Sequence, residues 1–290
     1  MPNERLYVAK QRRRVVQLAI RGVDYAVSEW GSKQDPLLVY LHGWGDTGST
    51  FQFVVDKLRR NWFVIAPDWR GFGKSSGGAA GYWFPDYLAD LDYLLNLYSP
   101  QEPVRLIGHS MGGNIAGLYA GVIPERVAGI VNLEGFGLPD TSAAEAPARY
   151  RSWIERGRER PEFSVRESFD ALAKKIRRNA PGMSPAQAEF VAREWAEEQA
   201  DGRIRLRADP AHKLLNPVLY RRAEAEACWG NVTAAVLLIA GRRSRFAAAT
   251  TMPFPRQTTA HIDQAGHMLH FEQPAAVARL IEEFFAKPST

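Results

Sequence analysis

The hexapeptide GHSMGG, residues 108–113, combines a nucleophilic side chain with the backbone freedom that a sharp turn requires. It follows the apolar stretch VRLI and precedes a helical pattern, which is the setting of the G-x-S-x-G nucleophile elbow. Glycine at both flanking positions avoids collisions with neighbouring backbone, and the turn lifts the Ser110 hydroxyl clear. The helix N-terminus favours developing negative charge there. The pattern predicts a nucleophilic serine, the alternative being an ordinary glycine-rich turn before a helix.

A serine nucleophile needs a general base, and the segment AGHM at residues 265–268 supplies His267 after the last predicted strand. We expect His267 to take the Ser110 proton during attack and to return it to the leaving group. A surface histidine without a role is the alternative. Three other histidines near these segments are interpreted as structural: His42, His109 and His270.

The imidazole must be oriented by a carboxylate that accepts a hydrogen bond from its other nitrogen. Glu134 closes the apolar run VNLEGF, where an unpartnered carboxylate is costly to bury, and Asp263 ends the run TTAHID just before His267. The segment GRRSR at 241–245, which also follows an apolar run, offers arginines instead. Arginine cannot accept the N–H and disfavours an imidazolium nearby. An ion pair with one of these arginines is the alternative role for Glu134.

The elements that would position these residues alternate between strand and helix. Residues 13–20 and 23–30 predict a hairpin. Short, apolar, β-rich runs, typical of a parallel sheet covered on both faces, occupy residues 37–43, 62–68, 104–110 and 127–135. Helical patterns lie between them at residues 49–60, 84–98 and 111–123. This alternation predicts an α/β fold.

Residues 139–229 interrupt this alternation, because they contain helix-favouring polar stretches and no convincing strand. The runs AAVLLIAG and TTAHID then resume the strand pattern, and residues 271–287 predict an amphipathic closing helix. We therefore predict an α/β core made of residues 1–138 and 230–290, with a helical segment over residues 139–229 inserted into it.

Composition narrows the function classes. The single cysteine, Cys228, excludes an internal disulfide framework and a cysteine-based zinc site, and it suits a cytoplasmic location. A net charge of +5 with basic and acidic residues intermixed does not favour nucleic-acid binding. The longest apolar runs are too short for a membrane span, and the first residues lack the apolar region of a secretory signal. We expect no cofactor and no metal, and the oligomeric state is not indicated.

Four segments together resemble the α/β-hydrolase superfamily: LHGWG (41–45), DWRGFGKS (68–75), GHSMGG and AGHM, in the expected order. The resemblance implies a mostly parallel eight-stranded sheet flanked by helices, with a helical cap inserted after the sixth strand that roofs the pocket. It also implies an oxyanion hole formed by the backbone N–H groups of Trp44 and Met111. Asp68 and Arg70 are expected to hold their loop by charge-assisted hydrogen bonds.

The position of the acid distinguishes branches of this superfamily. Most members carry it after the seventh strand, where this chain has GRRSR, whereas a minority branch, including some haloalkane dehalogenases, carries it after the sixth. Glu134 stands at that second place. The chain therefore looks most like the serine-hydrolase-like, dehalogenase-related branch, with a Ser110-His267-Glu134 triad and Asp263 as the second choice of acid.

A serine with a histidine base attacks acyl carbon and forms an acyl-enzyme, so the predicted activity is hydrolysis of a carboxylic ester. Thioesters, lactones, amides and carbon–carbon bonds beside a carbonyl belong to the same class of targets. A small-molecule receptor and a cofactor-free oxygenase are the alternatives, because fold analogy does not fix function. The pocket for a small acyl substrate is expected to be lined by aromatic and apolar side chains: Trp44, Tyr82, Trp83, Phe136, Leu138 and Met268.

Overall fold

The computed structural model describes residues 6–78, 81–159, 161–247 and 252–286. Within these ranges the strands are β1 (Arg14–Ile20), β2 (Val23–Trp30), β3 (Leu37–Leu41), β4 (Phe63–Pro67), β5 (Val104–His109), β6 (Val127–Leu133), β7 (Ala196–Glu198), β8 (Ile204–Leu206), β9 (Ala235–Gly241) and β10 (Gln257–Ile262). Eight described strands form one sheet in the order β1-β2-β4-β3-β5-β6-β9-β10. β2 is antiparallel to β1 and β4, and the other neighbours are parallel. The predicted mostly parallel α/β sheet is confirmed.

The helices cover both faces of this sheet. They are α1 (Gln52–Val55), α2 (Phe84–Tyr98), α3 (Met111–Val122), α4 (Ala146–Gly157), α5 (Phe169–Asn179), α6 (Pro185–Trp195), α7 (Arg222–Gly230), α8 (Leu269–Glu272) and α9 (Pro274–Phe285). Alternate residues of β3 enter opposite apolar layers: Val39 packs in the layer with α2, α3 and α7, and Tyr40 in the layer with α1 and α9. No helix in the described ranges is long and apolar enough to cross a membrane.

Some boundaries differ from those that the sequence predicts. α1 ends at Val55, well before residue 60, and the carboxylate of Asp56 beyond it accepts from the N–H groups of Lys10 and Gln11. α9 ends at Phe285, and residue 287 of the predicted closing helix lies outside the described residues. The order and type of the core elements are otherwise those expected from their hydrophobic periodicity.

The inserted segment contains a hairpin, β7–β8, where we expected no strand. The stretch AEEQ favours helix by residue propensity, but Gly202 adopts φ 78° in the Asp-Gly turn that follows it. The turn brings β8 back against β7, so that Ala196 and Ile204 are both buried. Pairing and burial override the local helix preference, because these two side chains complete the apolar cluster of the segment.

The inserted segment packs on the core through one end. α5 and α6 bury Leu172, Ile176 and Val191 in a cluster with Phe53 and Phe271, which belong to α1 and α8 of the core. Every residue of α4, in contrast, stays at least partly exposed. The firm contact with the core is therefore made by the α5–α6 half of the segment.

A second attachment joins residues 207–213 of the insertion to the loop that follows β4. The N–H of Gly73 donates to the Arg207 carbonyl at 2.7 Å, and the N–H of Asp209 donates to the Gly71 carbonyl at 2.7 Å. These backbone bonds fix the insertion beside the carboxyl ends of the central strands.

Buried charge holds the same loop from its other side. The carboxylate of Asp90 on α2 accepts from Arg70 Nε at 2.6 Å and Nη2 at 2.7 Å, and also from Tyr25 and Arg21. Asp68 accepts from two backbone N–H groups of its surroundings. These contacts agree with the expectation that Asp68 and Arg70 hold the loop. Asp68 does so through backbone N–H groups, and Arg70 does so through Asp90.

Replacing Asp90 by Ala should lower the free energy of unfolding by about 3 kcal/mol, because the largely buried Arg70 guanidinium loses its bidentate partner. Urea unfolding followed by circular dichroism measures the loss. The matched control is Glu283→Ala, which removes an exposed pair with Arg279 and should cost less than about 0.5 kcal/mol. Equal losses in the two variants would contradict a structural role for the buried cluster.

Candidate active site

Ser110 occupies the turn between β5 and α3 in a strained conformation, with φ 50° and ψ −111°. A Cβ atom added to Gly108 would lie 2.4 Å from the Gly112 carbonyl oxygen, and one added to Gly112 would lie 2.0 Å from the Leu41 carbonyl oxygen. Neither position accepts a side chain, which is the steric reason that the sequence pattern predicted. The geometry is that of a nucleophile elbow.

Four neighbouring parallel strands bring the predicted residues to one edge of the sheet. Ser110 follows β5, Glu134 follows β6 and His267 follows β10, with β9 between the last two. The N–H of Ser110 donates to the Leu133 carbonyl at 2.8 Å, and the N–H of Glu134 donates to the Ile239 carbonyl at 3.1 Å. Strand pairing therefore continues to the site and fixes where each chain leaves the sheet.

The buried carboxylate of Glu134 is held by three hydrogen bonds. Its Oε2 accepts from His267 Nδ1 at 2.7 Å and from Ser244 Oγ at 2.7 Å, and its Oε1 accepts from the Gly241 N–H at 2.8 Å. Since a carboxylate can only accept here, Nδ1 of His267 carries a proton, and in the neutral ring Nε2 then has a free lone pair. This tautomer can act as a general base toward the exposed side of the site.

The arginines after β9 turn away from Glu134. Arg242 pairs with Asp263, whose side chain is 82% exposed, and Arg243 contacts the Gln264 carbonyl and the carboxylate of Glu272. Among the residues that the structure describes, Glu134 forms no ion pair with Arg242, Arg243 or Arg245. Asp263, the second choice of acid, pairs with Arg242 at the surface. It has no hydrogen bond to His267 among the described contacts.

Hydrogen-bond donors stand free around Ser110. Within the described ranges, neither the Ser110 hydroxyl nor the backbone N–H groups of Trp44 and Met111 has an intramolecular partner. A Cβ atom added to Gly43 would lie 3.3 Å from Ser110 Cβ, so the loop after β3 passes directly beside the nucleophile. Of the two predicted oxyanion-hole residues, Met111 therefore follows Ser110 directly in the chain, and Trp44 follows Gly43 on the loop beside it.

The expected pocket residues do not lie in one place. Tyr82 and Trp83 line a cavity of about 210 Å³ together with residues of the insertion. Phe136 is buried and packs on Phe246, whose ring lies 5.6 Å from that of His267. Leu138 is exposed, and Met268 packs against the α5–α6 cluster.

Trp44 lies apart from that cavity. Its side chain is 53% exposed, contacts Phe72 and Phe163, and lines a different cavity between the loop after β3 and the insertion. The six predicted residues consequently do not form one common wall.

Asp46, His109 and His270 converge in the core behind the elbow, and one ligand atom of each lies within 4.8 Å of the others. His109 Nε2 lies 2.9 Å from the His267 carbonyl oxygen and so donates to it, leaving Nδ1 as an acceptor. This Nδ1, the Nδ1 of His270 and the Tyr40 hydroxyl have no partner among the described residues. These side chain types suit a divalent transition metal, but the predicted chemistry uses none of these atoms.

Burial keeps four histidines around the site neutral: His42, His109, His212 and His270. Desolvation lowers the pKa of His42 to about 4 and that of His270 to about 3, and it holds the pKa of His109 well below its usual range. His212 lies stacked between Phe72 and Tyr82, with centroid distances of 3.8 and 3.6 Å, and burial lowers its pKa to about 4. His42 Nε2 consequently accepts from the Trp69 N–H, as the structural interpretation expected.

Sequence reasoning missed Ser244 and Asp46. Ser244 lies inside GRRSR, where the arginines on either side indicate a charged loop. A single serine between them does not indicate a donor to a carboxylate. Asp46 accepts from Thr50 Oγ1 and from the Trp195 indole N–H, each at 2.8 Å, so it links the loop after β3 to the insertion. Its partner Trp195 is 149 residues away in the chain, and no local pattern indicates it.

Known proteins share both the sequence pattern and the architecture. A family model described as alpha/beta hydrolase fold matches residues 36–274. A Danio rerio protein named serine hydrolase-like protein is 26% identical over 280 residues, covering 90% of this chain and 84% of its own. A Bacillus subtilis (strain 168) protein named putative 2-succinyl-6-hydroxy-2,4-cyclohexadiene-1-carboxylate synthase is 27% identical, covering 91% of this chain and 95% of its own.

Among solved structures, the thioesterase domain from the curacin biosynthetic pathway has a TM-score of 0.84 at 21% identity. The alignment covers 94% of this chain and 99% of that domain. Similarity at this level of identity shows a shared fold.

The neutral histidines should make the protein labile to acid. In the unfolded chain a histidine binds a proton near pH 6.5, whereas the four buried ones stay neutral in the folded state to about pH 4 or below. Stability that is complete above pH 6.5 is therefore lost as the pH falls toward 4, by about 1.4 kcal/mol per pH unit for each excess proton. Asp68, whose pKa is raised to about 6 by burial, opposes part of this loss. Urea unfolding at pH 7, 6 and 5 measures the slope.

His212→Phe tests the origin of this slope, since phenylalanine keeps the aromatic stack and removes one titrating group. The slope between pH 6 and 5 should fall by about 1.4 kcal/mol per pH unit. An unchanged slope would show that the lability has another origin.

Proposed function

The chain belongs to the α/β-hydrolase family, and from that premise we propose that it is a serine hydrolase that cleaves a carboxylic ester or a related acyl bond. The proposed catalytic residues are Ser110 as nucleophile, His267 as general base and Glu134 as the acid. The observation that carries the proposal is the 2.7 Å hydrogen bond between His267 Nδ1 and the buried Glu134 carboxylate, at the sheet edge where the strained Ser110 stands.

In the proposed reaction, Ser110 Oγ attacks the carbonyl carbon of the ester while its proton passes to His267 Nε2. Glu134 stabilises the imidazolium that forms, and the oxyanion accepts from the N–H groups of Trp44 and Met111. His267 then gives the proton to the departing alkoxide, which leaves as the alcohol. A water molecule repeats the attack on the acyl-enzyme and releases the carboxylic acid.

The identity of the nucleophile supports acyl transfer over other reactions of this fold. Displacement at an alkyl carbon, as in dehalogenases and epoxide hydrolases, uses an aspartate at the elbow, and here the elbow carries Ser110. The names of the Danio rerio relative and of the curacin neighbour support hydrolysis and make thioesters a reasonable part of the same class. Which acyl group the protein accepts depends on its pocket.

The inserted segment over residues 139–229 is proposed to act as a cap over the site. Its attachment through residues 207–213 to the loop after β4 supports this role, and so does the indole of Trp195, which binds Asp46 three residues beyond Gly43. A cap in this place would set the size and polarity of the substrate site. The cytoplasmic location stays a prediction.

Ser110→Ala should abolish turnover of a short p-nitrophenyl ester and labelling by a fluorophosphonate probe, because no other described hydroxyl stands at the elbow. Release of p-nitrophenol and in-gel fluorescence measure the two effects. A wild-type protein that neither turns over such esters nor labels would contradict the proposal. A ligand that raises the melting temperature and is recovered unchanged would then favour a receptor.

Glu134→Gln should lower kcat by a factor of 100 or more, since an amide cannot satisfy His267, Ser244 and the Gly241 N–H together. The matched control is Asp263→Asn, which changes the exposed carboxylate four residues before His267 and should leave kcat within about twofold. Steady-state kinetics on the same p-nitrophenyl ester decide between them. A larger effect at Asp263 would reverse the assignment of the acid.

A further inference from the structure

A cavity of about 260 Å³ lies between the loop after β3 and the inserted segment. It begins at Trp44, one residue beyond the Gly43 backbone that passes beside Ser110. Its apolar walls come from the loop after β3, the segment before α5, α5, α6 and β8, namely Trp44, Phe163, Leu172, Ile176, Trp195 and Leu206. A largely apolar cavity that shares the loop flanking Ser110 is suited to the chain of a substrate.

Two cations stand where this cavity meets a second one of about 400 Å³. Arg166 and Lys175 line both cavities, and neither forms an ion pair with any carboxylate in the described part of the chain. The Nε of Arg166 is buried and has no hydrogen-bond partner among described residues. A buried guanidinium N–H without an acceptor is costly, so this donor is available to an anion.

The carboxylates nearest in the lining do not neutralise these cations. Asp46 is occupied by Thr50 and Trp195 on Oδ1, and its Oδ2 lies 3.4 Å from His270 Nε2. Glu167 lines the second cavity beside both cations, but it forms no ion pair with either of them among the described contacts. The junction of the two cavities therefore keeps an excess of positive charge.

The backbone of Arg166 is held in place before any ligand binds. Its N–H donates to the Ile204 carbonyl at 2.9 Å and its carbonyl accepts from the Ile204 N–H at 3.0 Å, so it pairs with β8 like a strand residue. Lys175 projects from the regular helix α5. A cation on a fixed backbone loses less entropy when it binds an anion.

We propose that Arg166 and Lys175 bind an anionic group of the substrate, a carboxylate or a phosphate, whose apolar chain occupies the cavity beside Trp44. The interpretation of this anion as part of an acyl substrate rests on the proposed hydrolase function. The substrates of this site are then esters or thioesters that carry a negative charge several carbons from the reacting carbonyl. The anion supplies acceptors for the unpartnered guanidinium, and the arginine discriminates against neutral compounds of the same length.

Binding of three matched compounds tests the site without requiring turnover: 5-phenylpentanoate, 4-phenylbutyl phosphate and neutral 5-phenylpentanamide, each measured by isothermal titration calorimetry. At least one of the anions should bind the wild-type protein ten times more tightly than the amide does. The tighter of the two identifies the carboxylate or the phosphate as the preferred group. Equal affinity for all three compounds would overturn the proposal.

Substitution then locates the site. Arg166→Met and Lys175→Met should each reduce the preference for the anion at least fivefold while changing amide affinity less than twofold. Lys175 is exposed on α5, so its variant remains informative if Arg166→Met fails to fold. The control is Arg205→Met, a cation on β8 that pairs with Glu197 outside both cavities and should keep the full preference. Preference retained in both test variants would overturn the assignment to these residues.

Kinetics separate this proposal from the proposed function. A p-nitrophenyl monoester of a dicarboxylic acid should be cleaved with a kcat/KM at least ten times that of its ω-methyl ester, and Arg166→Met should remove the difference. If neither ester is cleaved while the anion still binds through Arg166, the hydrolase function fails and the anion site stands. If both are cleaved at equal rates and calorimetry shows no preference, the anion site fails and the hydrolase function stands.

Discussion

The Glu134 carboxylate is the group on which the organisation of the site depends. Taking an ionised carboxylate out of water costs free energy. At Glu134 three hydrogen-bond donors offset that cost. Two of those donors, the Gly241 N–H and the Ser244 hydroxyl, fix it in place, and the third is the imidazole that it orients. The end of β9 and the loop after it thus donate two hydrogen bonds to Glu134. In the superfamily that the sequence resembles, most members carry the acid itself on this loop.

Backbone strain at the same sheet edge accompanies this arrangement. Ser110 and Glu134 both have positive φ, 50° and 59°, although neither is glycine. Each stands directly after a parallel strand whose last pairing bonds remain intact. The packing of β5, β6 and β9, which are buried on both faces, offsets the conformational energy of these two residues. Strain of this kind at the ends of well-packed strands is characteristic of functional sites. The rigid strands convert two unfavourable conformations into fixed side-chain directions.

Periodicity and glycine placement were sufficient to predict the sheet and the elbow, because both follow from local pattern. The meeting of Glu134 with His267 was expected only from the resemblance to the α/β-hydrolase branch that carries its acid after the sixth strand, and Asp263 stayed open as the alternative. The short hairpin at Ala196 and Ile204 was not predictable in that way, since its residues favour helix and only pairing at a distance decides. Ser244 and Trp195 were missed for a related reason. Their partners come from remote parts of the chain, and a single hydroxyl or indole carries no spacing signature. The expected pocket residues lie apart because the path of the insertion, not residue type, determines which of them face one another.

The bonds to Glu134 also join parts of the chain that are synthesised far apart in time. The acid is followed by its partners only 107, 110 and 133 residues later, after the whole inserted segment. A chain emerging from the ribosome can form β1 to β6 and the elbow, yet it holds a carboxylate with no donors until β9 and the histidine loop arrive. The three hydrogen bonds of Glu134 can therefore form only after residues 241–267 have been synthesised. A polypeptide that ends before residue 241 would contain Ser110 and Glu134 without His267, which the proposed reaction needs as its base.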